Sequence, residues 1–151
     1  MTRKSCAFAW LLAVVALLAP GALRAQAPAP APQQRPQVDL LQNYPNPFNP
    51  ATTIPFRLSE ELFRDGRRPV VSLRIFNVLA QLVAIPSLQA SGEALDNIAL
   101  ECRDPQNGYC EFSAYWDGHY INTQREAASG VYVYQLVVNG QRASRRMIVM
   151  K

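Results

Sequence analysis

The chain has 151 residues, of which 49% are hydrophobic and 17% are charged. This length suffices for one domain and is short for two, and the apolar share excludes a wholly disordered chain. The formal net charge is +4, but three of the 15 basic residues precede residue 26, and the rest of the chain has 12 basic against 11 acidic residues. Such a near-neutral domain lacks the positive charge typical of nucleic-acid binding, so the sequence predicts no nucleic-acid partner.

Residues 1–25 have the features of a signal peptide. Two basic residues near the start precede an apolar run over residues 6–19, and small residues follow up to Ala25. The run is short for a bilayer span, and no second apolar segment follows it. We therefore predict a signal-peptide helix, cleavage after Ala25, and a mature chain that is secreted through the periplasm with no transmembrane segment. An uncleaved anchor helix is the alternative.

Residues 26–40 are predicted to form a linker. Their sequence begins with alternating Ala and Pro, which disfavours both a helix and a sheet ladder and favours an extended polyproline II conformation. A disordered tail that remains after cleavage is the alternative. We place the boundary at Leu41, so that residues 41–151 form one domain.

The densest local signal is a proline-rich segment that we call the strap. It consists of Tyr44, Pro45, Asn46, Pro47, Phe48, Asn49 and Pro50. The prolines fix φ and remove backbone donors, while Asn46 and Asn49 can bond their own backbone in Asx-turns. Tyr44 and Phe48 are predicted to be buried. The pattern predicts a rigid turn that crosses one end of a core.

Seven strand-like runs follow the strap. They span residues 53–58, 70–76, 80–85, 97–102, 110–116, 131–138 and 143–150. Pro55 predicts that the first run is an edge strand or the irregular start of one, and Asn139-Gly140 predicts a two-residue hairpin turn. Residues 93–96 are predicted to start a short helix capped by Ser91. The period-two pattern predicts an all-β, antiparallel β-sandwich of about seven strands.

The two cysteines that remain after loss of Cys6 are predicted to form a disulfide. Cys102 and Cys110 flank a turn-rich segment in a chain that is expected to enter an oxidising compartment. Closing this loop contributes about 2–3 kcal/mol on the chain-entropy model. Two free thiols are the alternative. With a single histidine, His119, and no C-x-x-C spacing, the sequence predicts no metal site.

The sequence has none of the common catalytic or cofactor-binding motifs. It contains no G-x-S-x-G, no phosphate-binding glycine loop and no H-E-x-x-H. A hydrolytic set of Asp117, His119 and either Ser113 or Ser129 is disfavoured, because Asp117-Gly118 is typical of a turn. We therefore predict a protein that is not an enzyme and has no cofactor.

The aromatic residues include candidates for an exposed binding surface. Trp116 shares a strand face with Phe112 and Ala114, which predicts a core position. Tyr115 and Tyr120 are predicted to be more open, so that a carbohydrate or a protein surface is a candidate partner.

Several segments together resemble a known family. They are residues 41–54, which include the strap, residues 71–79 and 82–83, Trp116-Asp117-Gly118, Ser129-Gly130 with Tyr132, and the tail of Arg145, Arg146, Met147, Ile148, Val149, Met150 and Lys151. Their order resembles the type A C-terminal sorting domain of the type IX secretion system. It is also similar in pattern to the immunoglobulin-like domain of the flagellar hook-capping protein, and this resemblance implies that the β-sandwich is immunoglobulin-like. One departure is Ala80, where the family has Gly in a turn; a left-handed conformation there costs Ala about 1 kcal/mol.

The resemblance implies a recognition function. A sorting domain directs export across the outer membrane and surface attachment, with the outer-membrane secretion machinery as partner and, in many members, a sortase-like protease that removes it. The tail is then the expected contact for recognition. The alternative is a free-standing secreted module for adhesion or assembly, which the lack of a preceding passenger domain favours.

Overall fold

The computed structural model describes residues 36–151, which form two antiparallel sheets. Along the long strands, buried and exposed side chains alternate, so that one face of each sheet is turned to the core. The predicted signal peptide and residues 26–35 of the predicted linker lie outside the described residues. The strands are β1 (Val38–Leu40), β2 (Thr52–Ser59), β3 (Val70–Phe76), β4 (Leu82–Ala84), β5 (Ser87–Leu88), β6 (Ile98–Ala99), β7 (Tyr109–Trp116), β8 (Gly130–Val138) and β9 (Gln141–Val149).

One sheet has the strand order β1-β2-β7-β5, and the other has the order β4-β3-β8-β9, with β6 paired to β3. The inward side chains of the two sheets form one core, to which Phe56 of β2, Leu73 of β3 and Tyr134 of β8 contribute fully buried side chains. The predicted all-β antiparallel sandwich is therefore confirmed. Seven of the strands correspond to the predicted runs, and β1 and β5 were not predicted.

The N-terminal boundary of the sandwich lies earlier than predicted. β1 falls within the predicted linker, yet Val38 and Leu40 pair with Leu58 and Phe56 of β2. The Ala-Pro pattern stops before β1, and the three residues of this strand are too few for a periodicity argument. Their place in the sheet is decided by pairing with a strand that follows later in the chain.

The prediction of an edge strand at Pro55 is wrong, because β2 lies between β1 and β7. The Leu41 N–H donates to the Pro55 carbonyl over 3.0 Å. In a regular antiparallel pair, the N–H of the residue at position 55 would donate to the Leu41 carbonyl in return, but proline has no N–H. The Tyr134 hydroxyl instead donates to the Leu41 carbonyl over 2.8 Å. A side chain from the opposite sheet thus satisfies the acceptor that the proline leaves unpaired.

The predicted helix at residues 93–96 is also wrong. Ala94 forms a β-bridge with Ser87, and the N–H of Leu73 in β3 donates to the carbonyl of Leu95, whose side chain is fully buried. Backbone pairing with two strands therefore replaces helical bonding. A short 3₁₀ segment at Glu60–Gly66, which was not predicted, follows β2.

Three predictions about local structure are confirmed. Asn139 and Gly140 have φ values of 47° and 86°, as a two-residue hairpin turn requires. Ala80 has φ of 58°, the left-handed conformation expected at a position where Gly is preferred. Cys102 and Cys110 form the predicted disulfide, with their Cα atoms 5.7 Å apart. No helix within residues 36–151 has the length and apolar character needed to cross a membrane.

Candidate functional site

Three aromatic rings from distant parts of the chain meet at one end of the sandwich. The rings of Phe48 and Trp116 lie 5.4 Å apart at 63°, and those of Trp116 and Tyr132 lie 5.8 Å apart at 64°. These are edge-to-face contacts, and all three side chains are buried. We call this cluster the aromatic junction. It brings together the strap, the W-D-G segment (residues 116–118) and the S-G-V-Y segment (residues 129–132). The burial of Trp116 confirms that it is a core residue.

The strap lies along the outer edge of β9. The Phe48 N–H donates to the Ile148 carbonyl, and the Met150 N–H donates to the Phe48 carbonyl, both over 3.0 Å. The side-chain oxygen of Asn46 accepts from the Ile148 N–H over 2.9 Å. Asn46 thus binds the terminal strand rather than forming the predicted Asx-turn. The strap therefore pairs with the end of β9, and the last residues of the sequence are held in place.

The predicted burial of the two strap aromatics is correct for one and wrong for the other. Phe48 is 2% exposed, whereas Tyr44 is 58% exposed. The backbone of Tyr44 exchanges two hydrogen bonds with Thr53, each 2.9 Å long. This pairing places Tyr44 beside β2 with its ring outside the core, whereas the ring of Phe48 lies within the core.

The W-D-G segment supports the end of the strap. Asp117 accepts a hydrogen bond from the backbone N–H of His119 over 2.9 Å, which confirms the predicted turn. Gly118 has φ of 85°, and a Cβ atom there would overlap the carbonyl oxygen of Pro50. Glycine is therefore required at this position both by the backbone conformation and by the close approach of the strap.

The S-G-V-Y segment holds the C-terminus from the other side. The Ser129 hydroxyl accepts from the Lys151 N–H over 3.1 Å, and the Lys151 ammonium lies 2.6 Å from the Glu126 carboxylate. The hydrogen bond from Lys151 lowers the pKa of Glu126. Gly130 begins β8 opposite Val149. These contacts place the segment beside the end of β9.

The hydroxyl of Tyr132 is held within the aromatic junction. It donates to the Ala128 carbonyl over 2.9 Å. Burial of the side chain, together with its hydrogen bond to Tyr120, raises the pKa of Tyr132 to about 12. The group therefore stays neutral over the physiological pH range and serves as a hydrogen-bond donor.

The tail residues divide into an inner and an outer set. Met147 and Val149 are buried in the core, whereas Ile148 is 42% exposed and Met150 is 60% exposed. Arg146 is also exposed. A strand that alternates in this way presents every second side chain to a partner.

The two charged ends of the tail are engaged within the domain. The Arg145 guanidinium donates to the Leu40 carbonyl of β1 and so links the two sheets at that side. Lys151 is paired with Glu126. Within the described residues, Arg146 is the tail cation that has no such hydrogen bond or ion pair from its side chain.

Sequence reasoning assigned no role to Asn43, although it lies within the matched pattern of residues 41–54. Its side chain is buried and donates to the Thr52 hydroxyl over 2.9 Å and to the Pro45 carbonyl over 3.1 Å. Its N–H donates to the hydroxyl of Tyr134, whose pKa is raised by burial. A buried amide with these partners fixes the start of the strap.

Asp117 and His119, which lie beside the aromatic junction, contact each other within the W-D-G turn. His119 Nδ1 lies 3.3 Å from Asp117 Oδ2, and the same carboxylate caps the turn. In the part of the chain that the structure describes, no three His, Cys, Asp or Glu side chains are grouped so that they could bind a metal ion. The arrangement forms a shaped surface around the terminal strand.

Comparison with known proteins identifies no family for this chain. No protein-family model matches the chain, and no curated protein matches it significantly. One similar solved structure is described as "Pseudomonas fluorescens alkylpurine DNA glycosylase AlkC bound to DNA containing an abasic site analog", with 15% sequence identity and a TM-score of 0.44. The match covers 78% of this chain and 31% of that chain, so this chain spans about a third of its length. A likeness of this size carries no argument about function.

Proposed function

We propose that the protein is a non-catalytic recognition domain of the sorting type, which directs export across the outer membrane and attachment to the cell surface. The observation that supports this proposal most directly is the pairing of Phe48 with Ile148. It holds the end of the chain as an ordered strand. A terminal strand normally frays unless it is tied down, so this strap gives the C-terminus a fixed, displayed surface.

The composition of that surface also supports recognition by a protein. Ile148 lies opposite Val131 on β8, and both side chains are exposed. The turn after β3 carries the exposed Val78 and Leu79, and the pairing of β3 with β8 brings this turn to the same end of the sheet. Exposed apolar side chains grouped in this way are typical of protein interaction sites.

The partners of such a domain are the outer-membrane secretion machinery and, where the tag is removed, a sortase-like protease. The disulfide between Cys102 and Cys110 fits an extracytoplasmic location, because such bonds persist in oxidising compartments. The signal peptide predicted for residues 1–25 supplies the first step, which is export across the inner membrane.

A free-standing adhesion module is the second candidate, and one observation favours it. Tyr44 and Tyr115 are both exposed and flank Thr53, with which each is paired on adjacent strands. Residues paired across strands share a sheet face, and two strand spacings are about 10 Å. Two exposed rings at this separation form a platform on which sugar rings or apolar groups of a cell surface can stack.

The sorting proposal is tested by changing only the outward side chains of the tail. The double variant Ile148→Ser/Met150→Ser keeps Met147 and Val149 in the core, so the fold is retained. In the native host, the variant chain is expected to cross the inner membrane and accumulate in the periplasm, while the unmodified chain reaches the surface. Tyr44→Ser/Tyr115→Ser is the matched control on the other sheet.

Cell fractionation with immunoblotting measures the distribution, and a thermal melt of each purified chain verifies folding. Normal surface appearance of the folded Ile148→Ser/Met150→Ser chain would overturn the sorting proposal. If the same chain also keeps its surface adhesion and the Tyr44→Ser/Tyr115→Ser control loses it, the adhesion module becomes the better assignment.

A further inference from the structure

The turn between β3 and β4 carries two adjacent aliphatic side chains that the domain leaves uncovered. We call this turn, residues 77–81, the tip. Val78 is 75% exposed and Leu79 is 74% exposed, which are the largest exposed fractions among the large apolar side chains of the described residues. No charged side chain occurs between Arg74 and Glu93. Neighbouring aliphatic side chains with this exposure indicate a contact with something outside the domain.

The polar groups of the tip are bonded within the turn. The Asn77 N–H donates to the Gln81 carbonyl over 3.1 Å, and the Asn77 carbonyl accepts from the Ala80 N–H over 3.0 Å. The side-chain oxygen of Asn77 accepts from the N–H groups of Leu79 and Gln81, each over 3.0 Å, and its amide donates to the Gln81 side chain over 2.8 Å. Backbone groups that enter lipid must already have hydrogen-bond partners. The tip therefore meets a condition for entering an apolar layer.

Positive charge lies beside the tip on the outer face of the same sheet. Phe76, the last residue of β3, pairs with Val133 of β8, which in turn pairs with Arg146 of β9. Residues paired across strands share a face, so Arg146 is two strand spacings, about 10 Å, from the base of the tip. Arg142 lies on the same face. In the described part of the chain, neither Arg142 nor Arg146 forms an ion pair.

This positive charge is not balanced by acids of the sheet. The four strands β3, β4, β8 and β9 contain no Asp or Glu. Asp96 and Glu126, which reach the sheet from loops, are each paired with a cation, Arg74 and Lys151 respectively. An apolar element beside unpaired cations matches the interface of an anionic bilayer, which offers acyl chains below and phosphates above.

The composition of the tip favours lipid over a protein pocket. The side chains that dominate protein interfaces are mostly Trp, Tyr and Arg, whereas Leu and Val are under-represented among them. The tip has no aromatic residue, and its exposed apolar groups are Val78 and Leu79. Binding to lipid requires only that apolar area leave water, and it does not require a complementary pocket.

We propose that the tip inserts into the surface of an anionic phospholipid bilayer, with Val78 and Leu79 among the acyl chains and Arg146 near the headgroup phosphates. This proposal rests on the proposed function, because a chain whose tail binds machinery of the outer membrane is held at a lipid surface. The depth typical of such insertion is about 5–10 Å into the boundary between headgroups and acyl chains. Salt screens the contribution of the arginines but not that of the aliphatic side chains.

Flotation of the mature chain, purified from the periplasm, with lipid vesicles measures the partition coefficient. Vesicles of phosphatidylethanolamine and phosphatidylglycerol in equal parts are expected to bind the unmodified chain. Val78→Ser/Leu79→Ser is expected to lower the partition coefficient at least about tenfold. Val78→Ser and Val70→Ser make the same substitution near the two ends of β3, and only the first is expected to weaken binding, by at least about threefold. Thermal melts verify that each variant is folded.

Two arginine variants test the charge. Arg142→Gln/Arg146→Gln is expected to weaken binding to the anionic vesicles at least about threefold, while Arg64→Gln/Arg103→Gln, with the same loss of charge away from this face, leaves it unchanged. Vesicles of phosphatidylcholine alone are expected to bind the unmodified chain at least about threefold more weakly than the anionic vesicles.

Leu79→Trp separates insertion from adsorption by charge alone. On anionic vesicles its emission is expected to shift to shorter wavelength and to be quenched by lipids brominated on their acyl chains, because the indole enters the apolar layer. Val70→Trp is the control, whose emission is expected to stay unchanged. Trp116 is buried and gives the same background in both variants.

The proposal is overturned if the unmodified chain does not bind the anionic vesicles, if Val78→Ser/Leu79→Ser binds them equally well, or if brominated lipids do not quench bound Leu79→Trp. A tip that is needed for secretion but does not bind vesicles would be a protein contact instead. Vesicle binding through Val78 and Leu79, combined with normal surface appearance of Ile148→Ser/Met150→Ser, leaves the lipid contact standing and removes the sorting role. Periplasmic accumulation of Ile148→Ser/Met150→Ser without vesicle binding of the unmodified chain gives the opposite result.

Discussion

The backbone N–H of Phe48 donates to the carbonyl of Ile148, and through this 3.0 Å bond the strap becomes an extra parallel neighbour of the terminal strand. The side chain of Phe48 meanwhile contacts Trp116 in the core. One residue therefore joins the core to the edge of the sheet. Four of the segments meet around this residue, namely the strap, the W-D-G segment, the S-G-V-Y segment and the tail.

Replacing Phe48 tests the packing half of this relationship. Phe48→Ala removes a buried ring that contacts Trp116, and it is expected to lower the free energy of unfolding by about 3–5 kcal/mol. Tyr44→Ala is the matched control in the same strap, and its loss is expected to stay below about 1 kcal/mol because the ring is exposed. Urea denaturation measures both. Equal losses for the two variants would contradict the assignment of Phe48 as the anchor.

Replacing Asn46 tests the backbone half. Asn46→Ala removes the side-chain oxygen that accepts from the Ile148 N–H, so the end of β9 is expected to open more often. Native-state hydrogen exchange should show faster exchange of the Ile148 and Met150 amides. Asn49→Ala is the control in the strap. Unchanged protection of Ile148 in Asn46→Ala would show that the bond does not hold the strand.

The disulfide between Cys102 and Cys110 is expected to contribute about 2–3 kcal/mol to the free energy of unfolding, because it closes a short loop in the unfolded chain. Cys102→Ser/Cys110→Ser should lower the free energy by this amount without changing the fold. Thiol titration of the denatured, unreduced mature chain should detect no free thiol. Detection of two thiols per chain would refute the bond.

The raised pKa of Tyr132, about 12 against about 10 in the unfolded chain, predicts a loss of stability in alkali. Between these pH values the folded domain retains a proton that the unfolded chain has released. The free energy of unfolding therefore falls as pH rises from about 10 to about 12. Burial of Tyr134 acts in the same direction.

Urea denaturation across this pH range measures the effect. Tyr132→Phe is expected to show a shallower decline than the unmodified chain, and Tyr115→Phe, with an exposed ring, should retain the full decline. If Tyr132→Phe and the unmodified chain decline in parallel, the hydroxyl does not have the raised pKa.

Ala80 occupies a left-handed turn position that glycine adopts at no steric cost. Ala80→Gly is therefore expected to raise the free energy of unfolding by up to about 1 kcal/mol. Ala90→Gly, at an exposed turn position without positive φ, should instead lower it by about 0.5–1 kcal/mol. Urea denaturation compares the two. A loss of stability in Ala80→Gly would show that the turn is not strained.

Sequence reasoning failed where a longer-range contact outweighed the local signal. Pro55 suggested an edge strand, but β2 lies inside the sheet. The hydroxyl of Tyr134 supplies the hydrogen bond that the missing N–H of proline would have made to Leu41. Residues 93–96 have a local helix signal, but Leu95 is buried and its carbonyl pairs with Leu73 of β3. No local pattern contains such information, because the partner that decides the conformation is distant in the sequence.

The sequence by itself determined the features that depend on local chemistry. Alternating apolar side chains defined the long strands, and Asn139-Gly140 defined the hairpin turn. The turn-forming residues between Cys102 and Cys110 brought these two cysteines together. The tertiary structure decided which apolar side chains of the terminal strand are exposed. Met147 and Ile148 are adjacent apolar residues, yet one lies in the core and the other faces solvent, because strand register and the strap fix the side to which each points.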